Sequence, residues 1–307
     1  MTPPLFKRFL GRRTRPLVTF GIVILFPILP IYLIFSVFPI FYNFYISLYQ
    51  WGGVLPTRPF VGLQNYLNNF QDPVFWQIMR NTVIYSFFML LGIVFSLFLA
   101  LALNMVTRKF RSFYLLCYFI PVVSSIVAVC LIWNFIYDPT YGVANYMLSL
   151  IGLPSQGWLR DPRIALISIC ILMIWKTMGY NGVIFLAGLQ SLPGQLYEAA
   201  EVDGANLIQR FFYVTLPLLR PVALFVLITT TISSFQVFAP VWTITQGRQG
   251  IPGGPANSTN VIGLSIFLNA FRDFRMGYAS AQAVILFFII LTLVIMQYKF
   301  LGKKWEY

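Results

Sequence analysis

Glu198, Glu201 and Asp203 place three carboxylates within six residues of a chain in which only 9% of residues are charged and 59% are apolar. Clustered carboxylates hold a divalent cation, exchange protons with a substrate, or face a cationic partner. The first two uses need further groups. No His occurs anywhere in the 307 residues, so the commonest metal ligand and the usual proton switch are missing. The next acidic residue after Asp203 is Asp273, with a long apolar segment between them, so the downstream carboxylates of an Asp-Gly metal cluster are out of reach. Cys117, Cys130 and Cys170 are odd in number, lack metal spacing and fall in apolar stretches, where they read as small packing residues. No Gly-x-x-x-x-Gly-Lys-Ser/Thr phosphate cradle is present, and no apolar segment carries the paired acids of a proton-driven carrier. What remains for the acidic stretch is recognition by another protein.

The elements that must position it follow from the local pattern. Leu192-Pro193-Gly194 interrupts an apolar segment, and Gln195 to Val202 reads as a short helix that Gly204 ends after Asp203. Ala199 and Ala200 are strong helix formers with almost no side chain, so a partner's groove could approach the backbone closely. A second short helix is expected from about Asn206 to Tyr213, with Leu216-Pro217 redirecting the chain. An ordinary surface helix is the plainer alternative.

Around this loop the chain is too apolar for a soluble domain of its length. A bilayer core needs about 20 apolar residues per helix. Six segments qualify, at about 17–48, 81–106, 113–137, 164–189, 219–242 and 279–301. The first has a basic leader, but its apolar run far exceeds the 7–15 residues or so of a signal peptide, and it is read as a retained helix kinked at Pro27, Pro30 and Pro39. The division expected is a basic tail over 1–16, a first helix and loop over 17–78, and a five-helix core over 79–303 that contains the acidic loop at 190–218. Lys and Arg orient the whole. Thirteen of them, including Lys7, Arg8, Arg108, Lys109, Arg210 and Lys299, fall on the side of the termini and acidic loop, against seven on the other. That asymmetry places both termini and the loop in the cytoplasm. The net charge of +13 is then mainly a topological signal, not a nucleic-acid surface.

Polar residues inside two segments suggest where a solute could bind. Met173, Lys176, Thr177 and Tyr180 fall at helical spacing on one face of the fourth. Thr230, Ser233, Ser234 and Val237 do the same on the fifth, beside Phe235, Gln236 and Phe238. Hydroxyls seek hydrogen-bond partners and rings offer flat apolar surface; helix–helix packing is the rival use of each. Lys176 stands apart. An ammonium near the bilayer centre costs at least about 2.5–3.5 kcal/mol, so it must face water, carbonyls or an anionic partner. It is assigned to the cavity wall, with a contact to a partner subunit as the alternative.

The order Glu198-Ala199-Ala200, Gly204, Val214, Leu216-Pro217 resembles the cytoplasmic loop of ABC-importer permeases, with Val214 where that family prefers Ile. Membrane enzymes that transfer phosphoalcohols also carry an Asp-Gly motif, but Asn206-Leu207 follows here in place of their Ala-Arg continuation. Phe60-Val61-Gly62-Leu63-Gln64-Asn65-Tyr66, then Pro121, Ser125, Trp133, Tyr137, Gly142 and Asn145, and finally Gly253-Gly254-Pro255, Thr259 and Gly277–Ala281 are similar to its carbohydrate branch, the permeases for maltose and glycerol 3-phosphate. The segment Gln246–Ile251 is a departure. The resemblance implies an all-α integral membrane protein of six helices with the MetI-like permease fold, in a bacterial or archaeal inner membrane. It implies a second homologous permease, two ABC ATPase subunits and an extracytoplasmic solute-binding protein as partners. ATP and Mg2+ would be used by the ATPases, and this chain would bind no cofactor and catalyse no reaction. Glu198, Ala199, Ala200, Asp203, Gly204, Leu216 and Pro217 would dock on an ATPase. Met173, Lys176, Thr177, Tyr180, Thr230, Ser234, Phe235 and Gln236 would face the sugar. A stand-alone channel or carrier, and a scaffold without a cavity, are the other classes weighed.

Overall fold

A computed structural model describes residues 25–53, 56–250 and 252–302. The basic tail over 1–16, the start of the first span, and Lys303 and Lys304 lie outside these residues.

Thirteen helices are described, with a single 3-10 turn at Pro255–Asn257. Helix α1 (Leu25–Ile46) is the first span. It touches the remainder near its C-terminal end, where Phe44 meets Phe287 and Phe288 edge-on. Helix α2 (Gln64–Gln71) is short and lies in the following loop. Helix α3 (Pro73–Met105) is much longer than the segment expected at 81–106 and crosses the boundary drawn at 78 and 79. Asp72 starts it by accepting from the Val74 amide at 2.8 Å, with Pro73 in the first turn.

The third segment is not one helix. Helix α4 (Arg108–Val123) stops at Ser124, and α5 (Ile126–Ile136) leaves at 98° to it. Helix α6 (Val143–Leu150) follows, then α7 (Ala165–Gln190), which runs parallel to α3 as the central pair of the bundle, with Gly92 against Ile174 and Leu99 against Gly182. Two short helices, α8 (Gly194–Val202) and α9 (Leu207–Leu218), form an elbow. Beyond it α10 (Arg220–Phe235) departs at 67° to α9.

The fifth span was expected to continue to 242. It ends at Phe235 instead, and α11 (Ala239–Gln249) starts afresh after Gln236-Val237-Phe238. Pro240 is the reason. It has no amide to give an ongoing helix, but it suits the first turn of a new one. Helices α12 (Ile262–Arg272) and α13 (Met276–Leu301) complete the chain. Among the described residues four helices are long and apolar enough to cross a membrane, or up to six if each bent pair counts as one span.

Three buried clusters hold the bundle. One lies at the elbow end, where Ala100 and Leu103 of α3 meet Phe185 and Leu189 of α7 and Leu219 and Val226 of the α10 region. A second joins Phe75, Ile78, Phe235, Ile262 and Leu286. The third packs α3, α5, α7 and α11 around Ile169, Leu172 and Val241.

Candidate functional site

The elbow is built largely from backbone logic. Gly204 has φ +80°, a conformation L side chains rarely adopt. Its amide donates to Glu201 O at 3.0 Å, while the Ala205 amide donates to Ala200 O at 2.9 Å. This is the paired closure of a Schellman motif, and it ends α8 where the sequence indicated. Asn206 and Gln209 then cap α9 reciprocally, each side chain accepting from the other's backbone amide at 2.8 and 2.9 Å. The spacing Asn-x-x-Gln was a readable signal for this cap. Two ties hold the helices together, Arg210 Nη1 to Glu201 Oε2 at 3.0 Å and Tyr197 Oη to Thr215 Oγ1 at 3.0 Å. Neither tie was anticipated.

The surface so fixed is apolar and acidic together. Glu198, Ala199, Asp203 and Gly204 are exposed, and Ala200, Leu216 and Pro217 are half-buried. Beside them Val202 is 88% exposed and Tyr213 79%, with Leu207 and Ile208 similarly bare. Large apolar side chains in the open next to carboxylates make a surface suited to docking. The turn into α10 falls at Leu219, just past Leu216-Pro217.

A cavity of about 550 Å3 opens between α3, α7 and α10. Of the eight solute-facing residues expected, Met173, Thr177, Tyr180, Thr230, Ser234 and Gln236 line it. Tyr85, Met89 and Asn181 line it too, although the sequence reading passed over them. Tyr85 and Met89 sit in an almost wholly apolar stretch of α3, and only the packing of α3 on α7 brings them to the cavity. None of the lining residues is charged. The hydroxyls of Thr177, Ser233 and Ser234 donate to carbonyls of their own helices, so they present acceptor lone pairs to the cavity. The Asn181 and Gln236 amides and the Tyr180 phenol bring donors.

Phe235 and Lys176 do not line the cavity. Phe235 is 6% exposed and faces Phe75, Ile78 and Leu286, because it is the last residue of α10 and points to the opposite side from Ser233. Lys176 turns towards α4. Its Nζ donates to Pro121 O at 2.7 Å, Ser124 O at 2.9 Å and Val122 O at 3.4 Å, carbonyls left open where α4 breaks.

These features have counterparts among known proteins. Residues 92–307 match the family described as binding-protein-dependent transport system inner membrane component. The chain belongs to that family. A probable ABC transporter permease of Bacillus subtilis is 36% identical over 294 residues, covering 94% of this chain and 96% of the relative. The trehalose/maltose transport system permease of Thermococcus litoralis is 34% identical, covering 92% and 90%. Among solved structures, a bacterial alginate ABC transporter, in complex with a periplasmic protein that holds an alginate pentasaccharide, aligns with TM-score 0.78 at 26% identity over 93% of each chain. This chain is therefore an all-helical ABC-importer permease of binding-protein-dependent type, a transport subunit and not an enzyme.

Proposed function

We propose that this permease forms, with a second homologous permease, the path for a sugar or sugar-like solute delivered by an extracytoplasmic binding protein. Two ATPase subunits supply the energy and dock on the elbow at 190–218 through Glu198, Ala199, Ala200, Asp203, Gly204, Leu216 and Pro217. ATP and Mg2+ belong to those subunits. Both termini and the elbow are cytoplasmic on the strength of the Lys and Arg distribution. One observation carries the reading. The two helices entering and leaving the elbow, α7 and α10, are also two walls of the cavity. A push on the elbow therefore moves the groups that would hold the solute.

The lining supports a neutral polyhydroxy solute on this chain's side of the path, since it offers amides, hydroxyls and aromatic faces without a charge. The name of one relative, a trehalose/maltose permease, points the same way; in the alginate transporter the same fold also serves an acidic polysaccharide. The test is cross-linking of Ala199→Cys to ATPase subunits in the assembled transporter. Capture of an ATPase in a nucleotide-dependent manner is expected. Capture of none would overturn the coupling role.

A further inference from the structure

The break between α4 and α5 leaves the last carbonyls of α4 with no amide of their own helix, at the negative end of its dipole. Lys176 of α7 meets three of them. Three residues further along the same face is Gly179, where a Cβ would overlap the Tyr118 carbonyl oxygen, so α4 and α7 are in backbone contact there. Among the described residues no carboxylate forms an ion pair with this lysine. Its charge is matched by peptide dipoles alone.

Beyond the break, α5 packs on α11, with Cys130 Sγ donating to Pro240 O at 3.7 Å. Both helices follow 16-residue helices, α4 and α10, and they pack with α3 and α7 in the buried cluster around Ile169, Leu172 and Val241. Ala239 and Pro240 line the cavity itself. The distal end of α5 is secured separately, by Tyr137 Oη donating to Ser168 O at 2.9 Å and by Trp133 against Trp175 with centroids 5.5 Å apart. The proximal end, at Ser124-Ser125, has the ammonium.

We infer that Lys176 is a positioning residue: it pins the broken third span so that α5 and α11 form a roof over the cavity, and it acts on transport by fixing that roof, not by touching solute. What the roof gates rests on the permease reading above; the pin does not, because it is measurable in the isolated chain. In the full chain in lipid nanodiscs, Lys176→Met should speed amide exchange across 126–136 by about tenfold or more, with Lys176→Arg close to the wild type. In the assembled transporter carrying Thr230→Cys and Cys117→Ser, Lys176→Met should speed labelling by an impermeant thiol reagent from the side away from the elbow by a similar factor. Should Lys176→Met fold poorly, Lys176→Cys treated with an aminoethyl thiosulfonate should recover slow exchange, whereas the uncharged ethyl reagent should not. The inference is overturned if Lys176→Met leaves exchange and labelling unchanged, if it alters only the KM for solute, or if the ethyl reagent rescues as well as the aminoethyl one.

Discussion

Gly204 is the residue whose backbone angle decides the shape of the elbow. A β-branched side chain at φ +80° is strained whatever space surrounds it, and no atom lies within 4 Å of a Cβ placed there. Gly204→Val should therefore cost about 1–3 kcal/mol locally without a clash. We expect membrane insertion to persist while ATP-driven uptake falls sharply, as measured by transport in proteoliposomes against an insertion control. Wild-type uptake would remove Gly204 from the coupling role. Tyr180 gives the corresponding test in the cavity. It is 49% exposed, so Tyr180→Ala should raise the KM for solute with little change in thermal midpoint. Lys176 marks the limit of reading a residue in isolation. Its cost in a membrane required carbonyls, water or a partner, and carbonyls are what it found. Which carbonyls could not be read, because nothing in Ser124-Ser125 announces a 98° bend.

At the level of elements, legibility followed the strength of the local signal. The helix stop at Gly204 depends on three or four adjacent residues and was read from the glycine; the reciprocal cap of Asn206 and Gln209 is equally local but was not read, although the Asn-x-x-Gln spacing carries it. The start of α3 and the end of α10 were missed for the opposite reason. Apolar content measures where lipid can be faced, not where a helix begins, so the polar turn containing Gln77 and Arg80 was left outside the second span. Pro240 was visible but was overruled by the apolar run around it. Phe235 was expected beside the polar face of the fifth span and assigned to the solute by resemblance, whereas it packs with Phe75 and Ile78 of α3 and Leu286 of α13 inside the bundle. One consequence is testable. Asn81 Nδ2 donates to Asn257 O at 2.9 Å and Asn260 O at 3.0 Å, and Gln77 Nε2 donates to Ala256 O at 2.8 Å, tying the loop before α12 to α3. Asn81→Leu leaves both carbonyls without that donor and should cost about 1–3 kcal/mol. Faster proteolytic nicking within 252–261 and a lower thermal midpoint are the expected signs; unchanged nicking would mean the loop is held by other contacts.

For the molecule as a whole, composition and the placement of Lys and Arg supplied the class and a topology, since bilayer thickness and charge asymmetry act on the entire chain. Cysteines introduced singly at Ala199 and Gln64, both exposed, should react with an impermeant reagent from opposite faces of the membrane. Reaction from the same face would reverse the orientation and with it the coupling scheme.

Helix α3 is also the longest stiff element among the described residues. Its 33 residues make a rod about 50 Å long, against a hydrocarbon layer of about 30 Å. Near one extremity its amides grip the 256–260 loop; near the other, Ala100 and Leu103 lie against Leu219 beside the elbow. Such a beam behaves as a lever. A swing of only about 5° at its foot carries the head through roughly 4 Å, so a displacement at the elbow reaches the 256–260 loop through one continuous stiff member.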